Sequence, residues 1–217
     1  MAENINILGD HDSYLNQLLF ELREERIQKD RMRFRTNLER IGFLLGYEIS
    51  KELGYSTSEV TTPLGTLDMR LPSRQPVVLS ILRAGLPMHN GFLQLFDQAD
   101  NGFISAYRHH TSGNEFIVKI EYLAAPDLEG RTLILLDPMI ATGKSMVLSY
   151  RAAIEHLGKP EHVFVAGVVA SEEGLAYVQR NMPKAHIFVG AVDKELTAKA
   201  YIVPGLGDAG DLAFGPK

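Results

Sequence analysis

The stretch Leu133-Ile134-Leu135-Leu136-Asp137-Pro138-Met139-Ile140-Ala141-Thr142-Gly143-Lys144-Ser145 decides how this chain folds. Four apolar residues run into an acid, a short loop, a glycine and a hydroxyl residue. That is a buried strand ending over the start of a helix, where backbone N–H groups hold a phosphate. Asp137 at the strand end adds an acceptor for sugar hydroxyls beside that phosphate. These residues alone make a ribose-phosphate ligand the leading expectation.

Lys144-Ser145 invites comparison with the nucleotide cradle, whose pattern needs a glycine five residues before Gly143. That position holds Pro138, so the long wrap around a β-phosphate is missing. Ala141, Thr142 and Gly143 remain as N–H donors, with the Thr142 and Ser145 hydroxyls beside them. Such a loop suits a single phosphate monoester and argues against a nucleoside kinase.

Outward from this segment, short apolar runs alternate with helical patterns. Residues 77–82, 103–107, 133–136, 163–169 and 187–192 read as strands. Residues 91–96, 145–157 and 172–181 read as helices, with Ser171 as a cap before Glu172 and Glu173. This alternation implies an α/β fold, a mostly parallel sheet flanked by helices, with ligands at the carboxyl ends of the strands. Residues 12–53 read as a helical N-terminal segment, with Leu15, Leu18, Leu19 and Leu22 on one face and Leu38, Ile41, Leu44 and Leu45 on another. Residues 57–71 read as a hairpin broken by Pro63 and Gly65. The mixed faces of residues 116–123 read as an exposed antiparallel ribbon.

Three further loops hold chemistry. Arg83-Ala84-Gly85-Leu86-Pro87 follows a strand, with small residues for close backbone approach and a forked cation. The run Tyr201-Ile202-Val203-Pro204-Gly205-Leu206-Gly207-Asp208-Ala209-Gly210-Asp211 is expected to form neither a helix nor a regular strand interior. Its backbone amides suit a small planar ligand with alternating donors and acceptors. Arg108 stands at the base of a polar loop, His109-His110-Thr111-Ser112-Gly113-Asn114, expected to act as a lid. Adjacent histidines in a strand point to opposite faces, so a histidine metal site is disfavoured. Residues 23–40 hold seven basic residues against four acids. A solvated helical face is the first reading of that segment; an anionic effector or subunit contact, then RNA, come after it.

The bulk properties bound these readings. A chain of 217 residues with 45% hydrophobic and 23% charged residues suits one domain with a sizeable core. No cysteine is present, which excludes disulfides and thiolate metal sites and agrees with a reducing compartment. The first residues lack signal-peptide character, and no apolar run approaches the roughly 20 residues a membrane span needs. The net charge of −5 argues against broad nucleic-acid binding.

Ile81-Leu82-Arg83-Ala84-Gly85-Leu86, Asp137-Pro138-Met139-Ile140-Ala141-Thr142-Gly143 and the Tyr201–Asp211 run together resemble the uracil phosphoribosyltransferases. The likeness extends over most of residues 34–215, and a proline after Asp137 is characteristic of that family. It implies a type I phosphoribosyltransferase-like domain over 1–217, with N-terminal helices and a C-terminal hood at about residues 193–217. It implies that the 5-phosphoribosyl group of phosphoribosyl pyrophosphate passes to N1 of uracil, giving UMP and diphosphate in pyrimidine salvage. Arg83, Arg108 and Asp208 would be catalytic. Asp137, Pro138, Met139, Ile140, Ala141, Thr142, Gly143, Lys144 and Ser145 would hold phosphoribosyl pyrophosphate together with those three. Ile202, Gly207, Asp208 and Ala209 would hold uracil. No protein metal site is implied: Mg²⁺ would arrive on the substrate diphosphate. GTP as an activator, a homodimer or larger assembly, and a cytoplasmic location complete the expectation. Lys144, residues 109–114, Leu212 and Pro216 depart from the family pattern. The alternative is a related pyrimidine regulator that binds nucleotide and RNA.

Overall fold

The structure, a computed structural model, describes residues 4–110 and 116–216; the side chains of residues 106–119 lie outside that description. The chain opens with β1 (Ile5–Ile7), a 3-10 turn at Leu8–Asp10, α1 (Tyr14–Arg23) and α2 (Arg31–Ser50). A hairpin of β2 (Tyr55–Thr62) and β3 (Gly65–Pro72) follows, then β4 (Val77–Leu82), α3 (Gly85–Leu95), β5 (Asp100–His110) and β6 (Phe116–Ala124). Next come β7 (Thr132–Leu136), β8 (Met139–Ile140), α4 (Lys144–Leu157), β9 (His162–Ser171), α5 (Glu172–Asn181) and β10 (His186–Asp193). The chain closes with β11 (Glu195–Leu196), β12 (Ile202–Val203) and α6 (Ala209–Phe214).

The central sheet runs β1-β10-β9-β7-β4-β5-β6, with β8 adding to β9. Every pairing is parallel except β5 with β6. Strand residues alternate between the two faces, as the pleat demands. Val78, Ile134, Phe164 and Phe188 pack with Leu18 and Leu22 of α1, Leu38 and Ile41 of α2, and Phe92 of α3. Val77, Leu79, Leu135 and Val165 turn the other way, onto Met146 and Val147 of α4 and Leu175 and Val178 of α5. This is the expected α/β sandwich of helices on both faces of a mostly parallel sheet.

Several boundaries differ from the sequence reading, each for a local reason. The helical run 12–53 is two helices, because Glu24 accepts from the Arg26 and Ile27 amides and Asp30 caps α2 through the Arg33 amide at 3.0 Å. Acid side chains that capture nearby backbone N–H groups compete with the helix ladder. Helix α3 begins at Gly85, not near Gly91. The strand β1 was not foreseen; three residues are too short for a periodic signal, and pairing with β10 alone makes it a strand. The strand β6 is antiparallel as expected, but it forms an edge of the main sheet, with Ile120 and Leu123 packed on the core. The C-terminal run also departs from expectation, since it includes the two-residue β12 and the short α6.

Candidate active site

Strands β4 and β7 are neighbours, yet their connections run in opposite directions. The chain leaves β4 through α3 toward β5, and leaves β7 through α4 toward β9. A crevice opens where neighbouring strands send their connections apart, at their carboxyl ends. The two loops that flank this crevice are those of Arg83 and Asp137.

The Asp137 loop is built from backbone. The Met139 amide donates to the Asp137 carboxylate at 3.2 Å, and the Asp137 amide donates to the Ala166 carbonyl at 3.1 Å. Gly143 caps α4 at φ 71° with no side chain of its own, and the Thr142 hydroxyl accepts from the Lys144 amide at 3.5 Å. The other N–H groups of the first turn have no partner within the helix, the arrangement that suits an anion. Gly143 is required twice over: its φ is left-handed, and a Cβ would lie 2.7 Å from the Gly174 carbonyl oxygen. Asp137, Met139, Ile140, Ala141, Thr142, Gly143, Ser145 and Met146 line a small cavity of about 20 Å³, room for about one water-sized group. Lys144 is exposed in the first turn of α4, and Pro138 turns the loop with its carbonyl accepting from Val168 and Val169.

Two supporting residues escaped the sequence reading. Ser171 does cap α5, accepting from the Gly174 amide at 2.8 Å, but its hydroxyl also donates to the Ala141 carbonyl at 2.5 Å. Gly174 lets α5 press against the loop, since a Cβ there would run into the Ile140 and Ala141 carbonyl oxygens. A glycine in the first turn of an otherwise ordinary helix was the available signal.

Arg83 reaches across the crevice rather than into solvent. Its Nη2 donates to the Asp211 carboxylate and to the Gly215 carbonyl, both at 3.1 Å, while its buried Nε has no partner. Gly210 lies against both groups: a Cβ there would sit 3.2 Å from Asp208 Oδ1 and 3.8 Å from Arg83 Nη2. Asp208 is exposed and caps α6, accepting from the Asp211 amide at 3.0 Å. Ile202 and Ala209 are buried while Gly207, at φ 97°, is exposed. The structure thus brings Arg83 together with Asp208 and the C-terminal run. Arg108 falls within β5, beyond the register pair Leu82 and Ser105 and so at the same sheet end. Of the expected lid, 109–114, His109 and His110 continue β5, while residues 111–114 and the side chains of 108–110 lie outside the described residues.

The basic segment 23–40 is not simply a solvated face. Arg35 donates to the Ala213 carbonyl at 2.7 Å, Arg31 packs on Gly215, and Arg23 binds Asp193. A larger cleft of about 190 Å³ lies beside the site, between Met32, Arg35, Thr36 and Glu39 of α2, Leu86, Pro87 and Asn90 of α3, and Phe214. It shares no residue with the phosphate loop, and we assign it no substrate.

The uracil phosphoribosyltransferase family matches residues 10–216. A uracil phosphoribosyltransferase of Porphyromonas gingivalis is 46% identical over 211 residues, 97% of each chain. One of Thermococcus gammatolerans is 37% identical over 205 residues, 93% of this chain and 89% of its own. A solved structure from Aquifex aeolicus superposes with a TM-score of 0.86 at 32% identity, covering 97% and 98% of the two chains. A purine phosphoribosyltransferase of Pyrococcus horikoshii, 12% identical over 74% of this chain and 86% of its own, shares the fold with a TM-score of 0.50. A crevice with the N-terminus of α4 on one side and an arginine on the other thus sits in a chain akin, over nearly its whole length, to enzymes of one name, and the chain belongs to the uracil phosphoribosyltransferase family.

Proposed function

We propose that this chain transfers the 5-phosphoribosyl group of phosphoribosyl pyrophosphate to N1 of uracil, releasing UMP and diphosphate. The observation that carries this reading is the crevice between β4 and β7, with the N-terminus of α4 on one side and Arg83 joined to the C-terminal run on the other. The N–H groups of residues 141–145 hold the 5′-phosphate, and Asp137 accepts from the ribose hydroxyls. Ile202 and residues 207–209 read uracil through their backbone. N1 bonds to the anomeric carbon as diphosphate leaves with the electron pair of the C–O bond, and the N1 proton passes to water or to the departing diphosphate. Holding the two substrates in line supplies most of the acceleration, about 7–11 kcal/mol at best.

Arg83, with Arg108 among the last residues of β5, stabilises the departing negative charge. Arg83 must exchange its Asp211 and Gly215 partners for the diphosphate, which links occupancy of the sugar site to the base-reading segment. Among the described residues no three His, Asp or Glu side chains converge on a metal site. The carboxylates of Asp137 and Asp208 are the donor type Mg²⁺ accepts, and the ion usually takes one or two of them plus substrate oxygens. Bound with the diphosphate, Mg²⁺ supplies charge neutralisation there.

Diphosphate release measured with a panel of nucleobases tests the reading: uracil supports turnover, and cytosine and hypoxanthine do not. Arg83→Ala lowers turnover about a hundredfold or more with little change in melting temperature; undiminished turnover removes Arg83 from the mechanism. GTP added to the same assay tests whether it activates. Among the described residues no helix is long and apolar enough to cross a membrane, and we place the enzyme in the cytoplasm. The hairpin of β2 and β3 argues for a homo-oligomer. Every residue of β3 is exposed, with Leu67, Met69 and Leu71 in a row on one face and Leu64 at the tip 99% exposed. A two-stranded hairpin is marginal in water by itself, and an apolar row of this kind calls for cover. A second copy of the chain is the cover we infer.

A further inference from the structure

The last residue of α1, Arg23, reaches the last residue of β10, Asp193, through a two-pronged pair. Nη1 lies 2.8 Å from Oδ2 and Nη2 lies 3.1 Å from Oδ1. The same two side chains also hold one residue between them. Arg23 Nη1 donates to the Gly205 carbonyl at 3.0 Å, and the Gly205 amide donates to Asp193 Oδ2 at 2.9 Å. One ion pair therefore satisfies both backbone groups of Gly205. The carboxylate is 9% exposed and the arginine 23%, so water competes poorly for either.

The residue so held is the tightest point of the C-terminal run. Gly205 has φ 57°, and a Cβ on it would run into the Ile202 carbonyl oxygen. Leu206 beside it is buried, and Gly207, Asp208 and Ala209 follow directly. The turn at Gly205 thus sets the direction in which the backbone of residues 207–209 emerges. A part-buried ion pair is a weak source of net stability, because desolvation offsets much of its attraction. What a forked arginine provides is geometry: two parallel hydrogen bonds fix orientation as well as distance.

We infer that Arg23 and Asp193 are positioning residues for the nucleobase, acting through Gly205 to aim the backbone that reads it. This rests on the placement of uracil at residues 202 and 207–209. Neither side chain touches the base in this account. The N-terminal helix α1, far from the site in sequence, thereby becomes part of the specificity apparatus. The Asp137 loop lies on β7 and α4 and not on the segment that Gly205 directs, so the effect falls chiefly on uracil.

Steady-state kinetics of the full-length enzyme tests this, with Arg23→Met, Arg23→Lys and Asp193→Asn compared with wild type. Arg23→Met and Asp193→Asn raise the KM for uracil about tenfold and leave the KM for phosphoribosyl pyrophosphate within about twofold. Arg23→Lys, which keeps the charge but loses the fork, gives a smaller rise in the same parameter and remains informative if the other two variants fail to fold. Melting temperatures are recorded alongside. Uracil KM unchanged in Arg23→Lys and in every folded variant overturns the inference. So does an equal rise in both KM values, which marks a mere strut. Gly207→Val serves as the control for the base site itself. If it raises the uracil KM while the Arg23 variants do not, only the positioning role falls. If it too leaves the uracil KM unchanged, the placement of uracil falls with it.

Discussion

At the scale of single residues, the site depends on places where only one side chain, or none, can stand. Gly143 combines a left-handed backbone with contact at the Gly174 carbonyl. Gly143→Ala costs about 1–3 kcal/mol of strain and weakens phosphoribosyl pyrophosphate more than uracil; equal KM values in mutant and wild type would remove the loop from phosphate binding. His89 is a different case. It is 1% exposed, its ring tilted against Phe103 with centroids 4.8 Å apart, and neither ring nitrogen has a partner of normal hydrogen-bond geometry. Burial holds its pKa below the usual 6.5, opposed in part by the nearby Asn101 side chain. Above pH 6.5 the ring is neutral in both folded and unfolded chains, so nothing is lost. As pH falls from there toward the lower folded value, the unfolded chain binds a proton that the folded chain refuses. Stability then drops by up to about 1.4 kcal/mol per pH unit. Melting temperatures between pH 7 and pH 5 check this, since His89→Leu flattens that slope whatever its own offset.

At the scale of elements, the longer strands of the sheet and the helix α5 are legible in sequence because their patterns are local, whereas β1 and β8 are too short to carry one. Leu133, Ile134, Leu135 and Leu136 are wholly buried, and Ser171 caps α5 as its position before two acids implies. The hairpin of β2 and β3 was legible too, from Pro63 and Gly65, but its isolation was not. Nothing in its alternation tells that neither face meets the core. A double substitution there, Leu67→Lys with Met69→Lys, dissociates the assembly toward monomer in size-exclusion chromatography with light scattering. A wild-type protein that is already monomeric, or a variant with unchanged mass, places the subunit contact elsewhere. The segment 23–40 shows the opposite failure. Its charges look like a solvated face, because the partners of Arg23, Arg31 and Arg35 lie about 170–190 residues further along the chain.

At the scale of the whole molecule, the proposed ligand would bridge separate parts of the fold. The Asp137 loop belongs to β7 and α4, Arg83 to β4 and α3, and the C-terminal run to the segment after β10. Phosphoribosyl pyrophosphate with Mg²⁺ at a hundred times its dissociation constant stabilises by about 2.7 kcal/mol. For a chain of this length that raises the melting temperature by roughly 5–10 °C. A shift that persists in Gly143→Ala at the same ligand concentration would mean that the ligand sits elsewhere.

The sequence by itself determined the α/β class, the strand that ends at Asp137, the short loop after it in place of a long nucleotide wrap, and the family. The strand and loop rest on neighbours within about a dozen residues, where spacing and residue type carry the physics; the class and the family rest on several such local signals repeated along the chain. Tertiary structure alone decided that Arg83 grips Asp211 and Gly215, that Ser171 and Gly174 buttress the Asp137 loop, and that Arg23 and Asp193 hold Gly205 between them. Those contacts join residues 30 to 182 positions apart. Only the order of strands in the sheet brings them within hydrogen-bond reach, and no pattern along the chain encodes that order.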